Sequence, residues 1–284
     1  LSLRWKLKNQ RTARMTLSRQ TQTSHKSIMA DTAADQSKLG AMTLAEHFSE
    51  LRKRLVRSAL AVIICTIAVW NQFSDIFAVI REPYDSVQGL GSNAVLALTG
   101  VTSGFSIQLR VSLSAAFVLS SPIWIYQLWR FISPGLKQNE RKWAYAFTSV
   151  AVPLFSCGVL LAYFVMPRML DILFEFTPSD VENVTSVESY LSFFLHLTLF
   201  FGIGFLLPLV LVTLNFAGIL SGERLKAAWR WLILGSFVFG AVATPNGDPL
   251  AMTFVALPMI AMSFIAVGIA LINDRRRQRL AEVT

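Results

Sequence analysis

The chain has 284 residues, of which 54% are hydrophobic and 15% charged, and a formal net charge of +9. Soluble domains carry about 25% charged residues, so this composition excludes a soluble globular enzyme and points to an all-α integral membrane protein. The excess of base is confined to particular segments, which makes it a record of membrane topology and not evidence for nucleic-acid binding.

Residues 1–42 are polar and basic, and they hold no apolar stretch that could form a signal-peptide core. They read as a disordered basic tail, with Met15, Met29 and Met42 as alternative starts and an overextended reading frame as the alternative to a functional tail. Residues 43–272 hold six apolar runs: Leu55 to Phe77, Ile107 to Phe131, Ala144 to Met166, Tyr190 to Phe216, Trp229 to Ala243 and Leu250 to Ile272. A spanning helix needs about 20 mostly apolar residues, and the runs are too continuous for barrel strands. The expectation is therefore six transmembrane helices with a short fifth span, anchored at one end by Trp229 and Trp231. Residues 273–284 form a basic tail.

Lysine and arginine alternate sides. Twelve lie before or at Arg57; others flank the second loop, the fourth loop and the C-terminal tail, while Arg81 and Arg168 alone fall on the opposite side and Arg110 falls inside a span. The positive-inside rule places both termini in the cytoplasm. The outer loops, about Ile80 to Thr102, Pro167 to Ser189 and Thr244 to Pro249, are acidic instead. The last is so short that spans five and six form a tight hairpin. Pro122, Pro153, Pro208 and Pro258 punctuate the spans, which implies kinked helices around a concavity.

Two segments stand out on the basic side. In His47 to Arg54, HFSELRKR, Glu50 sits among three basic residues just before the first span. In Phe131 to Arg141, FISPGLKQNER, Glu140 sits among Lys137, Arg141 and Lys142. A carboxylate kept inside a basic segment at a membrane face is a candidate receptor for a cation, and an arginine offers a planar donor fork that a carboxylate accepts in bidentate fashion. Local salt bridging is the plainer reading of both glutamates.

Other chemistry is sparse. No phosphate-binding loop, zinc-protease motif or nucleophilic-serine motif occurs, so neither an enzyme nor a metal or cofactor site is expected. Arg110 reads as a snorkelling residue and His196 as a helix-packing hydrogen bond or a proton-sensitive group. Cys65 and Cys157, both inside apolar runs, read as buried thiols. A small-solute or ion-coupled permease is the alternative function, but it calls for an internal repeat and a buried polar path that the sequence does not display. A membrane scaffold without transport is a third.

The segments HFSELRKRL, FISPGLKQNERK, ESYLSFF and ATPNGDP resemble TatC, the large multi-span subunit of the twin-arginine protein translocase, over about Leu44 to Ile272. The resemblance implies a bacterial cytoplasmic-membrane receptor for the twin-arginine signal peptides of folded proteins, working with TatA and TatB-like single-span partners, self-associating in a receptor complex and driven by the proton-motive force. By position it makes Glu50 and Glu140 the acidic pair that recognises the arginines, with His47, Arg52, Phe131, Pro134 and Arg141 as supporting residues. It assigns assembly to Pro83, Tyr190, Thr244, Pro245 and Asp248. Two positions depart from the family pattern: Leu206 stands where many members have a glutamate, and Met252 where many have a glutamine. Partner contact would then fall to packing and to Thr198, Thr213 or Thr253.

Overall fold

The computed structural model describes residues 44–88, 94–98, 100–132, 140–176, 183–244 and 248–282; the tail 1–42 lies outside them. The chain divides into two units, Leu1–Lys53 and Arg54–Thr284. Helix α1 covers Leu44–Val69, and a 3-10 turn at Trp70–Gln72 leads into α2, Phe73–Gln88. A strand β1, Ala94–Ala97, precedes α3, Ser103–Leu119, and α4, Ser121–Ile132. Helix α5 covers Glu140–Glu175, strand β2 Asn183–Ser186, α6 Val187–Phe216, α7 Gly222–Ala227, α8 Trp229–Ala243 and α9 Pro249–Glu282.

All six apolar runs are helical. Among the described residues four helical stretches are long and apolar enough to cross a bilayer, and α3 with α4, bent by 60°, makes a fifth when the pair is taken as one span. Helix α8 is the short apolar one expected for span five. Several boundaries differ from the sequence reading. Span two is not one helix but two, broken at Ser120. Pro122 has no N–H to donate, and its ring would crowd the Val118 carbonyl if the helix ran on. At the break Ser120 N donates to Ala116 O at 2.8 Å, and the Trp124 indole Nε1 donates to Phe117 O at 3.0 Å.

The first outer loop is helical through Gln88, because Ile80, Tyr84 and Val87 form one buried stripe while Arg81 and Asp85 pair on the open face at 3.0 Å. The third span runs past Pro167 to Glu175, and α9 continues ten residues beyond Ile272. The strands went unforeseen. β1 and β2 pair in parallel, Val95 opposite Val184 and Leu96 opposite Thr185, and so tie the first two outer loops together.

Helix α6 is central: half of its apolar window is buried, more than in α5 or α9. It carries Leu191, Phe194, Leu197 and Phe201 into a core shared with Tyr84, Val111, Met166 and Val255. Its crossing with α5 depends on Gly158, where a Cβ would lie 2.6 Å from the Phe201 carbonyl oxygen. Outward-facing Ile63, Ile64, Leu160, Phe164, Val242 and Ile265 present apolar surface suited to lipid chains. Cys157 belongs to that outer surface and Cys65 is half-buried; the buried-thiol reading is corrected for Cys157, which an apolar run alone cannot orient.

On the basic side one carboxylate binds three segments. Asp274 of α9 accepts from the Asn215 side-chain amide at 2.9 Å and from Gly222 N at 2.6 Å. Asn215, fully buried, also donates to Leu220 O and accepts from Asn273 Nδ2, both at 2.9 Å. Arg277 adds a bond to the Phe216 carbonyl. The end of α6, the turn to α7 and the last part of α9 thus move as one piece. Asp274→Ala strands two donors at about 1–3 kcal/mol each where they stay buried. The melting temperature of the detergent-solubilised protein should fall by several degrees; an unchanged value would show that the clasp carries no stability.

Candidate functional site

The basic-side segments start from two helix ends. Around Glu50, α1 shows an open face with Phe48 and Arg52 exposed, while Glu50 itself is half-buried. His47 lies in the first turn of the helix, with its side chain outside the described residues. The second segment is carried by α4 and α5. Phe131 is half-buried at the end of α4; Pro134 lies outside the described residues, and Glu140 and Arg141 open α5 with side chains that also lie outside them.

What fixes this second segment is a series of aromatic contacts between α4 and α5. Tyr126 stacks on Tyr145 with ring centroids 5.1 Å apart. Trp129, nearly buried, lies parallel to Phe147 at 3.7 Å. Trp124 meets Phe155 edge-on at 5.4 Å while stacking on Phe117. Aromatic pairs contribute beyond their buried area through their ring quadrupoles, and three in succession hold the two helices in register beside the connecting loop. The sequence reading missed them, although the spacing of Trp124, Tyr126 and Trp129 against Tyr145 and Phe147 carried the signal.

The acidic-side residues are better tied. Pro83 is buried in α2 and cannot donate to the Val79 carbonyl. One residue along, the Ile80 carbonyl accepts the Tyr190 phenol at 2.6 Å. The Tyr190 ring lies 5.1 Å from Tyr84, which in turn meets Phe174 edge-on. Tyr163 donates to Glu82 at 2.7 Å. Pro83 and Tyr190, far apart in sequence, therefore belong to one outer cluster joining α2, α5 and α6. The Glu188 carboxylate at the start of α6 takes the Ser103 hydroxyl and, as a lesser effect, feels the charge of Arg110, exposed on α3.

Asp248 caps α9, accepting from Leu250 N at 3.2 Å and Ala251 N at 3.0 Å, with Pro249 in the first turn where its missing N–H costs nothing. Thr244 is buried and returns its hydroxyl to Gly240 O at 3.2 Å; Pro245 lies outside the described residues. Leu206 is buried against Ile125, Ala151 and Phe155. Met252 is half-buried. Thr213 and Thr253 spend their hydroxyls on Leu209 O and Pro249 O, and Thr198 is buried. His196 is exposed on α6, and its Nδ1 bonds the Ser192 carbonyl of its own helix at 2.6 Å, so the bond is not one between helices. Among the described residues no cluster of His, Cys, Asp and Glu could hold a metal.

Residues 46–258 match the family model described as Sec-independent protein translocase protein (TatC). The chain belongs to the TatC family. A TatC from Xylanimonas cellulosilytica is 38% identical over 239 residues, covering 84% of this chain and 87% of that protein. The Escherichia coli K12 TatC is 32% identical over 225 residues, covering 79% and 86%. A crystal structure of a TatC twin-arginine translocase receptor in the detergent DDM superposes with a TM-score of 0.69 at 31% identity, covering 79% of this chain and 99% of that one. This TatC chain is thus a multi-pass membrane protein, the receptor subunit of the twin-arginine translocase and not an enzyme.

Two substitutions probe the geometry. Tyr190→Phe removes the bond to Ile80 O and should cost roughly 1 kcal/mol, read as a fall in melting temperature, whereas Tyr163→Phe, whose bond to Glu82 is exposed, should cost much less. Equal effects would remove the distinction between the buried and the exposed phenol.

Proposed function

We propose that this TatC chain recognises twin-arginine signal peptides through Glu50 and Glu140. Two arginines call for two carboxylates, and the distribution of base puts both glutamates on the cytoplasmic side. The observation that carries the reading is the placement of these acids within basic segments, Glu50 in the second turn of α1 and Glu140 at the start of α5, in a chain of the receptor family. Arg52, His47 and Arg141 surround the carboxylates with basic groups, which makes indiscriminate cation binding unfavourable. Phe131 and Pro134 shape the loop, and the aromatic series beneath it fixes its base.

The peptide's apolar stretch then lies along the membrane-embedded helices. TatA and TatB-like single-span proteins complete the translocase, with Pro83, Tyr190, Thr244, Pro245 and Asp248 on the outer side contributing to assembly. Leu206 and Met252 alter how those partners dock, and more than one copy of the chain assembles in the receptor complex. The proton-motive force drives transport. Residues 43–272 form the receptor domain, flanked by the basic tails 1–42 and 273–284.

Photo-crosslinking of a twin-arginine signal peptide to membranes containing the chain tests this, with an Arg-Arg→Lys-Lys peptide as the control. Glu140→Ala and Glu50→Ala should each abolish the crosslink and export, and Lys-Lys should fail with the unaltered chain. Equal labelling by both peptides, or none despite correct insertion, would favour a scaffold or a permease. Removing residues 1–41 should leave export near its original level; failure of the shortened chain to insert would show the tail to be part of the folded receptor.

A further inference from the structure

The connection from α6 to α8 lays the short helix α7 directly on α9. A Cβ at Gly222 would lie 2.8 Å from Leu271 N and 2.9 Å from the Ala270 carbonyl carbon, so only glycine lets one backbone rest on the other. Leu225 seals the contact against Val267 and Ala270. To the side a cleft of about 550 Å³ remains, lined by Glu223, Lys226, Ala227, Trp229, Phe264 and Val267. That volume is within the range of small-ligand sites.

The lining is graded. Phe264 and Val267 supply an apolar floor from α9, and Glu223 and Lys226 put one charge of each sign at the mouth. Both charged residues are exposed, and among the described residues they form no ion pair with each other or with any other group. Trp229 stands between floor and mouth, with the Arg230 guanidinium over its ring at 5.5 Å; tryptophan favours this depth at a membrane interface. Helix α8, which starts at Trp229, has 15 residues. That is about 22 Å of helix against a hydrocarbon core of about 30 Å. A span this short keeps its interfacial end, marked by Trp229 and Trp231, close to the headgroups, through local thinning or through these anchors.

We propose that the cleft seats one phospholipid whose headgroup carries both a phosphate and a primary ammonium, as phosphatidylethanolamine does. Lys226 donates to the phosphate, Glu223 accepts from the ammonium, and one acyl chain lies along Val267 and Phe264. A purely anionic lipid satisfies Lys226 but sets its charge beside Glu223. A choline headgroup satisfies Lys226 but has no N–H for Glu223.

Native mass spectrometry of the delipidated full chain in detergent, titrated separately with phosphatidylethanolamine, phosphatidylglycerol and phosphatidylcholine, reads the preference. Phosphatidylethanolamine should be retained roughly tenfold better than phosphatidylcholine, the effect of one charge-assisted hydrogen bond. Glu223→Gln should remove that preference, and Lys226→Gln should weaken retention of all three lipids. Arg276→Gln, exposed on α9 but outside the cleft, should change nothing. Inorganic phosphate at the same concentration should not compete. Equal retention of the three lipids, a preference for phosphatidylglycerol, loss in Arg276→Gln equal to that in Lys226→Gln, or displacement by free phosphate would each overturn the proposal.

Discussion

Within the hydrocarbon of a bilayer no water can satisfy a stray donor or acceptor, and that constraint governs where this chain keeps its polar groups. Several hydroxyls of the spans turn back on their own helices. Thr66 donates to Val62 O at 2.8 Å, Thr213 to Leu209 O at 2.7 Å and Ser236 to Leu232 O at 2.8 Å. The His196 ring does the same with Ser192 O. Such bonds satisfy the side chain without holding helices together. Helix association is left to close packing, which the bilayer rewards where backbones can approach: Gly158 lets α5 rest on the Phe201 backbone, and the aromatic pairs join α4 to α5. Where the backbone is broken, as at Ser120, an indole and a hydroxyl take up the Phe117 carbonyl that a continuous helix would have occupied.

The same constraint explains what could be read from the sequence. Long apolar runs have one interpretation in a membrane, so all six were legible, the short fifth included. Their ends were not. Pro167 looked like the start of a loop, yet α5 runs through it to Glu175, because a proline in a helix removes one bond and neighbours can compensate. The helical outer end of α2 was hidden by its charge; only the stripe of Ile80, Tyr84 and Val87 betrays it. Ala94–Ala97 and Asn183–Ser186 are too short to announce themselves, since each is a strand only by virtue of the other, almost ninety residues away.

Within the candidate site, legibility followed charge. Glu50 and Glu140 stand out because acids are rare in their basic segments. Trp124, Tyr126 and Trp129 blend into an apolar run and reveal their purpose only when opposed by Tyr145, Phe147 and Phe155. Asp274 was lost in the opposite way. It precedes three consecutive arginines, so it reads as part of a solvated tail, whereas its carboxylate faces Asn215 and Gly222 and pins the α6–α7 turn. Asp248 was noticed for a family reason, and the structure supplies a local one in the cap it makes for α9.

The two membrane faces divide the polar work. On the acidic side, Tyr163 bonds Glu82 and Tyr190 bonds the Ile80 carbonyl around buried Pro83 and Tyr84, and β1 pairs with β2. That side is built to hold its shape. On the basic side the clasp at Asp274 is closed, while the cations Arg52, Arg224 and Lys226 stay exposed. Leu206 belongs to the same logic. Buried against Ile125, Ala151 and Phe155, it sits where a carboxylate would need a partner within the helix packing. A leucine at that place removes the need, and apolar packing against those three side chains takes its place.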